Sequence, residues 1–361
     1  MKKFFIIFIL LQTMSLNTGF ARAELSQPII RGIYVNPSTF NSPLFPKLLS
    51  LVKNSDLNAM VIDIKDDHGH LTFQPPKDSL YFSTSRPYIK NPAALIQTLK
   101  ENHIYPIARI VVFKDHVLPV SKPNWSFKTS LGIWRNSRGD SFTNPFLMEV
   151  WDYNIGIACL AAELGFKEIQ FDYVRFPEKF ETFENKLIYE KGNFSYLPLN
   201  EGQKRVAAVT GFVKYAKMKL TKYPVKMSVD VFGNATVIPE APGIGQNFSQ
   251  IAQNVDVISS MIYPSHWNPI FGIQKPDLEP YLLVKEYAKV EKGRLGKLTH
   301  PPTSRPWIQD FTATWLGKGN YQIYGKGEIE EQIRALQSQG IHEFLLWNGS
   351  SKYTPNVDYT P

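Results

Sequence analysis

The sequence predicts a single-domain (β/α)₈ barrel. Eight short strand-like segments alternate with helical periodicity along one chain of 361 residues. Neither a Gly-rich dinucleotide fingerprint after the first strand nor a G-x-x-x-x-G-K phosphate loop is present, which argues against a doubly wound open sheet. Long connections follow the strands while those that follow the helices are short, a one-sidedness that barrels show at their C-terminal face.

The strand-like segments are IIRGIYVN from 29, AMVIDIKD from 59, YPIARIVVF from 105 and EIQFDYVRF from 168, then KMSVDVFG from 226, DVISSMIYP from 256, SRPWIQDF from 304 and EFLLWNGS from 343. Each is rich in β-branched or aromatic residues and ends at Gly, Pro, Asn or a charge. Leu48, Leu49 and Val52 mark a first helix. Asn91-Pro92 is an N-cap followed by proline at the first helical position, leading into AALIQTLKENH. Trp151, Ile155, Cys159 and Ala162 share a helical face, so the lone cysteine is a small core residue and no disulfide framework exists. Val206, Val209, Phe212, Val213, Ala216 and Leu220 line a long helix, the helix near FSQIAQNV is short, and EIEEQIRALQSQG ends at Gly340 as a C-cap.

The amino terminus reads as an export signal. Lys2 and Lys3 precede the apolar run Phe4–Leu11, and Ala21-Arg22-Ala23 fits a small-x-small cleavage site. That run is far shorter than the roughly 20 residues a spanning helix needs, so residues 24–361 form the expected mature chain, periplasmic or secreted and without a membrane span. Removing Lys2, Lys3 and Arg22 lowers the formal charge of +8 by three. No Arg/Lys run interleaved with aromatics suggests nucleic acid. The oligomeric state is not readable.

Alternation places the chemistry. On the fourth strand Gln170 and Asp172 alternate with Ile169, Phe171 and Tyr173, and on the fifth Ser228 and Asp230 alternate with Met227, Val229 and Val231. Two inward carboxylates at one height on neighbouring strands, about 4.8 Å apart, suit glycoside hydrolysis, where one carboxyl protonates the leaving oxygen and the other attacks the sugar carbon or activates water. Asp172 is the expected nucleophile or charge stabiliser, with Arg109 and Arg175 as its cationic neighbours, and Asp230 the expected acid/base. Asp63 and Lys65 on the second strand, Tyr263 after the sixth, Gln309 and Asp310 after the seventh, and Trp347 on the eighth converge at the same end. His266 and Trp267 lie in the loop after the sixth strand. These are the expected substrate contacts, Asp310 also being a reserve acid, and the expected partner is a polysaccharide or oligosaccharide. A glycan-binding barrel without catalysis is the alternative. A metal-dependent deacetylase is a second, raised by Asp66, Asp67, His68 and His70, but no second ligand cluster has matching spacing and Asp67-His68-Gly69 also reads as a turn. No metal or other cofactor is expected.

Taken together, AMVIDIKDDHGHLTF, FKEIQFDYVRFPE, MSVDVFG, VDVISSMIYPSHW and RPWIQDF, in this order, resemble a bacterial glycoside hydrolase domain family of (β/α)₈ type with amylase-like relatives. The resemblance spans roughly residues 30 to 350. It implies Asp172 as nucleophile after strand four and Asp230 as acid/base after strand five, where amylase-like enzymes carry a glutamate.

Overall fold

The computed structural model describes residues 28–361; the export signal expected at residues 1–23 lies outside them. Eight parallel strands close on themselves: β1 (Arg31–Val35), β2 (Ala59–Lys65), β3 (Tyr105–Val111), β4 (Glu168–Asp172), β5 (Lys226–Phe232), β6 (Val257–Met261), β7 (Trp307–Gln309) and β8 (Phe344–Trp347). Closure comes from β1, which pairs with β2 on one side and β8 on the other. All eight strands expected from the sequence are present, and the (β/α)₈ barrel is the observed architecture.

The helices between the strands are α1 (Leu44–Lys53), α2 (Pro92–Glu101), α3 (Met148–Leu164), α4 (Glu201–Leu220), α5 (Phe248–Ala252), α6 (Pro280–Leu295) and α7 (Lys326–Ser338). Their ends follow local chemistry. Asn91 accepts from the Ala94 amide at 3.0 Å to start α2, and Asn200 caps α4 through the Gln203 amide at 2.9 Å. Gly165 beyond α3 and Gly340 beyond α7 adopt positive φ, the left-handed turn that a Cβ would strain. Among the described residues no helix is long and apolar enough to cross a membrane.

Two apolar layers result from strand alternation. The outer one packs β2–β5 against the helices, with Ile62, Ile64, Ile169, Phe171, Val229 and Val231 fully buried. The inner one fills the barrel with Tyr34, Ala59, Val61, Ile107, Trp307 and Leu345. Burying such side chains contributes about 1.5–3 kcal/mol each relative to exposure. The N-terminal end of the barrel is polar but satisfied: Arg305 donates to both oxygens of Glu168 at 2.8 Å and to Glu343 at 2.7 Å. The opposite end stays open and carries the long βα loops. The loop after β2 begins as a hairpin, Lys65 pairing antiparallel with Leu71.

One irregularity redirects a side chain. Asp63 lies opposite Arg109 but Lys65 lies opposite Ile110, so β2 has one residue more than β3 across this interval. Alternation is broken there. Asp63 stays inside, whereas the Lys65 ammonium turns outward under α3, bonding Asp115 at 2.7 Å, Asn154 at 3.1 Å and the Val111 carbonyl at 2.9 Å. The expected placement of Lys65 among the substrate contacts is therefore corrected: it is a buried structural ion pair.

Candidate active site

β4 and β5 pair with Gln170 opposite Ser228, so two residues further on Asp172 and Asp230 stand level at the open end. β3 brings Arg109 opposite both Asp63 and Gln170. The guanidinium is buried and forks among three carboxylates. Its Nε and Nη2 donate to Asp172 Oδ2 at 3.0 and 2.6 Å, and its Nη1 donates to Asp63 Oδ1 at 2.7 Å and to Asp67 Oδ2 at 3.2 Å. Its flat face lies 5.3 Å from the Trp347 ring and 5.7 Å from that of Tyr34.

The other Asp172 oxygen, Oδ1, accepts from the Tyr173 amide at 2.6 Å. Tyr173 sits at φ 51°, a left-handed conformation unusual for a bulky residue, immediately after the carboxylate. The kink ends β4 and turns Tyr173 to the cavity wall. Asp230 is enclosed and accepts from Trp307 Nε1 at 2.8 Å. Burial, reinforced by the charge of Asp172, pushes its carboxyl well above the ordinary carboxylate range. Asp63 is raised to about 7 by burial, which outweighs the lowering by Arg109 and by the Tyr34 hydroxyl that donates to it at 2.7 Å. Burial would also raise Asp67, but the charges of Arg109 and Lys114 hold it below its usual value.

Asp67, Arg109, Asp172 and Tyr173 floor a cavity of about 600 Å³. One wall is aromatic, with Tyr263, Trp267, Trp307 and Trp347; the other carries ion pairs, with Lys114, Arg138, Asp140, Arg175 and Glu178. Lys114 meets Asp140 at 3.4 Å, Arg138 meets Glu178 at 3.0 Å and Arg175 meets Glu178 at 3.4 Å. Gly233 permits the aromatic wall to close. A Cβ there would lie 2.5 Å from the Met261 carbonyl oxygen and 2.6 Å from the Trp267 ring.

Asp172, Arg109, Arg175, Tyr263, His266, Trp267 and Trp347 all reach the cavity from the positions expected in the sequence. Asp230 stands behind Trp307, and Asp63 beneath Arg109. The expected contact between Arg175 and Asp172 is absent; Arg175 donates to the Phe176 carbonyl and Glu178, with its guanidinium between the Tyr173 and Phe232 rings at 4.8 and 4.5 Å. Gln309 and Asp310 also require correction. Gln309 is buried, accepting from the Ser265 amide and hydroxyl and donating to Asp277 and the Phe311 carbonyl. Asp310, raised to about 6 by burial, accepts from the Thr354 amide and hydroxyl and so fastens the C-terminal tail rather than facing a ligand.

The residues of the metal alternative have other partners. Asp66 accepts from the His68 and His70 amides at 2.9 Å, making the turn, and Asp67 pairs with Arg109. Among the described residues no three His, Cys, Asp or Glu side chains are arranged to hold a metal ion. Asp67, Lys114, Arg138, Asp140 and Glu178 line the cavity but were not singled out as contacts from the sequence. Their signal was position: all lie in loops that follow strands.

Residues 32–353 match the model of a protein family described as "Putative glycosyl hydrolase domain". No curated protein matches the sequence. Among solved structures, the PgaB (BpsB) glycoside hydrolase domain from Bordetella bronchiseptica aligns with a TM-score of 0.62 and 14% identity, over 90% of this chain and 95% of that one. A β-galactosidase from the psychrophilic Marinomonas ef1 aligns with a TM-score of 0.60 and 12% identity, over 89% and 54% of the two chains. The spore cortex-lytic enzyme SleL of Bacillus megaterium gives 0.51 and 14%, over 90% and 72%. At these identities the likeness is one of fold.

Proposed function

Since this chain belongs to that family of glycosyl hydrolase domains, we propose that it is an exported glycosidase acting on a polysaccharide of the envelope or an exopolysaccharide. The observation that carries the reading is the carboxyl pair: Asp172, ion-paired at the cavity floor, stands level with Asp230, whose carboxyl burial raises well above the ordinary range. Such a pair supplies a carboxylate and an acid at once.

Asp230 donates its proton to the glycosidic oxygen as the bond to the sugar carbon breaks. Asp172 attacks that carbon, forming a glycosyl ester, and positive charge developing on the ring faces its carboxylate. The Asp230 carboxylate then takes a proton from water, whose oxygen displaces Asp172 and frees the sugar. Adjacent strands about 4.8 Å apart favour the short carboxyl spacing of this two-step, retaining course. Arg109 and the Tyr173 amide fix the Asp172 oxygens, and the half-buried Trp267 and Trp347 offer apolar surface to sugar rings. Release of new reducing ends from a panel of bacterial polysaccharides tests the proposal.

A second reading, glycan binding without hydrolysis, is favoured by one observation: Arg109 grips Asp172 Oδ2 twice while Trp307 screens Asp230. Saturable binding with no new reducing ends would establish it.

Two further outcomes are expected. The Trp307 hydrogen bond lowers the pKa of Asp230, so Trp307→Phe raises it. Since the protonated acid is the active form, the alkaline limb of the kcat/KM profile moves to higher pH; an unmoved or acid-shifted limb would remove Asp230 from the acid role. Export predicts that protein recovered from a bacterial host begins at Glu24, as read by intact mass, whereas a retained leader would refute it.

A further inference from the structure

Beyond the cavity, a second aromatic surface continues outward. His266 lines the cavity and lies edge-on to two rings further out, 6.2 Å from Phe311 and 6.1 Å from Trp315. Phe311 and Trp315 stack at 5.8 Å with 24° between their planes. Tyr263, on the cavity side, is 5.3 Å from His266 and 5.9 Å from Phe311. Trp315 is 63% exposed, so the shelf runs from the cavity wall to open solvent.

The loop that bears Trp315 is pinned. Asp277, 2% exposed, accepts from Gln309 Nε2 at 3.0 Å and from the Gln322 amide at 3.2 Å. Tyr324 donates its hydroxyl to the Asp277 carbonyl and its amide to Thr312. Gln309 joins this loop to the one carrying His266, because its Oε1 accepts from the Ser265 amide at 3.1 Å and the Ser265 hydroxyl at 2.8 Å. That network also sets the His266 tautomer. Gln309 Oε1 is only an acceptor, so the single Ser265 hydroxyl proton goes to it; Ser265 Oγ, 2.9 Å from His266 Nδ1, must then accept from Nδ1–H. Nε2 is left as an acceptor. Partial desolvation of the ring lowers its pKa below the ordinary value, which favours this neutral form at neutral pH.

We propose that His266, Phe311 and Trp315 form a distal sugar subsite, so that the ligand is a pyranose chain long enough to span cavity and shelf. The inference rests on the glycosidase reading and deepens it. A pyranose offers an apolar C–H face ringed by hydroxyls. The exposed Trp315 ring matches the face and His266 Nε2 accepts from a hydroxyl, both on loops already ordered, so little ordering entropy opposes binding. Continuity with the cavity through His266 makes the occupant the same chain whose bond is to be cut.

The test uses the full chain carrying Asp172→Asn, to prevent turnover, titrated by calorimetry with chito-, malto- and glucosamine oligosaccharides from disaccharides upward. The expected result is affinity that rises with length for one of these series. Adding Trp315→Ala flattens the rise, weakening the longest oligomers about tenfold, and Trp315→Phe restores most of it. Affinity independent of length, or an equal loss at every length in Trp315→Ala, overturns the shelf and leaves the glycosidase reading standing. Failure of every series to bind overturns both.

Discussion

Asp172→Asn is expected to reduce glycan hydrolysis by about three orders of magnitude while the barrel remains folded. Asparagine keeps the shape of the side chain, but its one oxygen can accept from the Tyr173 amide or from Arg109 and not both, and it is a poor nucleophile. The structural loss is limited because Arg109 retains Asp63 and Asp67. Exchanging one charged hydrogen-bond pair costs about 1–3 kcal/mol, less than the usual stability of a domain. Reducing-end release measured beside thermal unfolding separates the outcomes. A variant that still turns over fully would remove Asp172 from the reaction, and one that unfolds would show that the carboxylate is chiefly structural.

Arg109→Met is expected to be the more damaging change to stability, by about 3–5 kcal/mol at neutral pH. Methionine fills similar space but leaves three carboxylates without their shared cation. The deficit depends on pH with a definite sign. Asp63 already has a raised folded pKa of about 7, and losing Arg109 raises it further, so its ionisation opposes folding as pH rises. Asp67 has a lowered folded pKa, so it stabilises the wild type above the ordinary carboxylate value, about 4, and that contribution disappears with the cation. The variant's deficit therefore shrinks as pH falls, the Asp63 part above about 7 and the Asp67 part below about 4. Denaturant unfolding on both sides of that range is the measurement; a deficit independent of pH would mean that Arg109 acts mainly through packing. Arg109→Lys should recover only part of the loss, because an ammonium cannot fork to three carboxylates.

The barrel was legible because its signals are periodic and local: an apolar strand every few dozen residues, capped helices and long loops on one side only. Alternation likewise placed Asp63, Asp172 and Asp230 at the interior, and each points there. The same rule misplaced Lys65, since one extra residue relative to β3 reverses the parity of β2 and no residue type marks it. Gln309 and Asp310 sit at the expected height but turn to neighbouring loops, a choice made by partners distant in sequence, namely Ser265, Asp277 and Thr354. Asp67 was read only as part of a turn or metal cluster, because its pairing with Arg109 depends on the hairpin that follows β2. Tertiary hydrogen bonds of this kind leave no periodic trace in the chain.

The Gln309 junction bears on how such a mouth can be altered. Its single amide group serves the Ser265 backbone and hydroxyl and the Asp277 carboxylate in one segment and the Phe311 carbonyl in the next, so the two are held as one unit. Grafting either segment alone from another barrel strands buried donors or acceptors in the remaining half. Diversification of this rim, in nature or in the laboratory, should therefore proceed by exchanging residues 264–278 and 311–325 together, with the glutamine between them kept as the fixed seam.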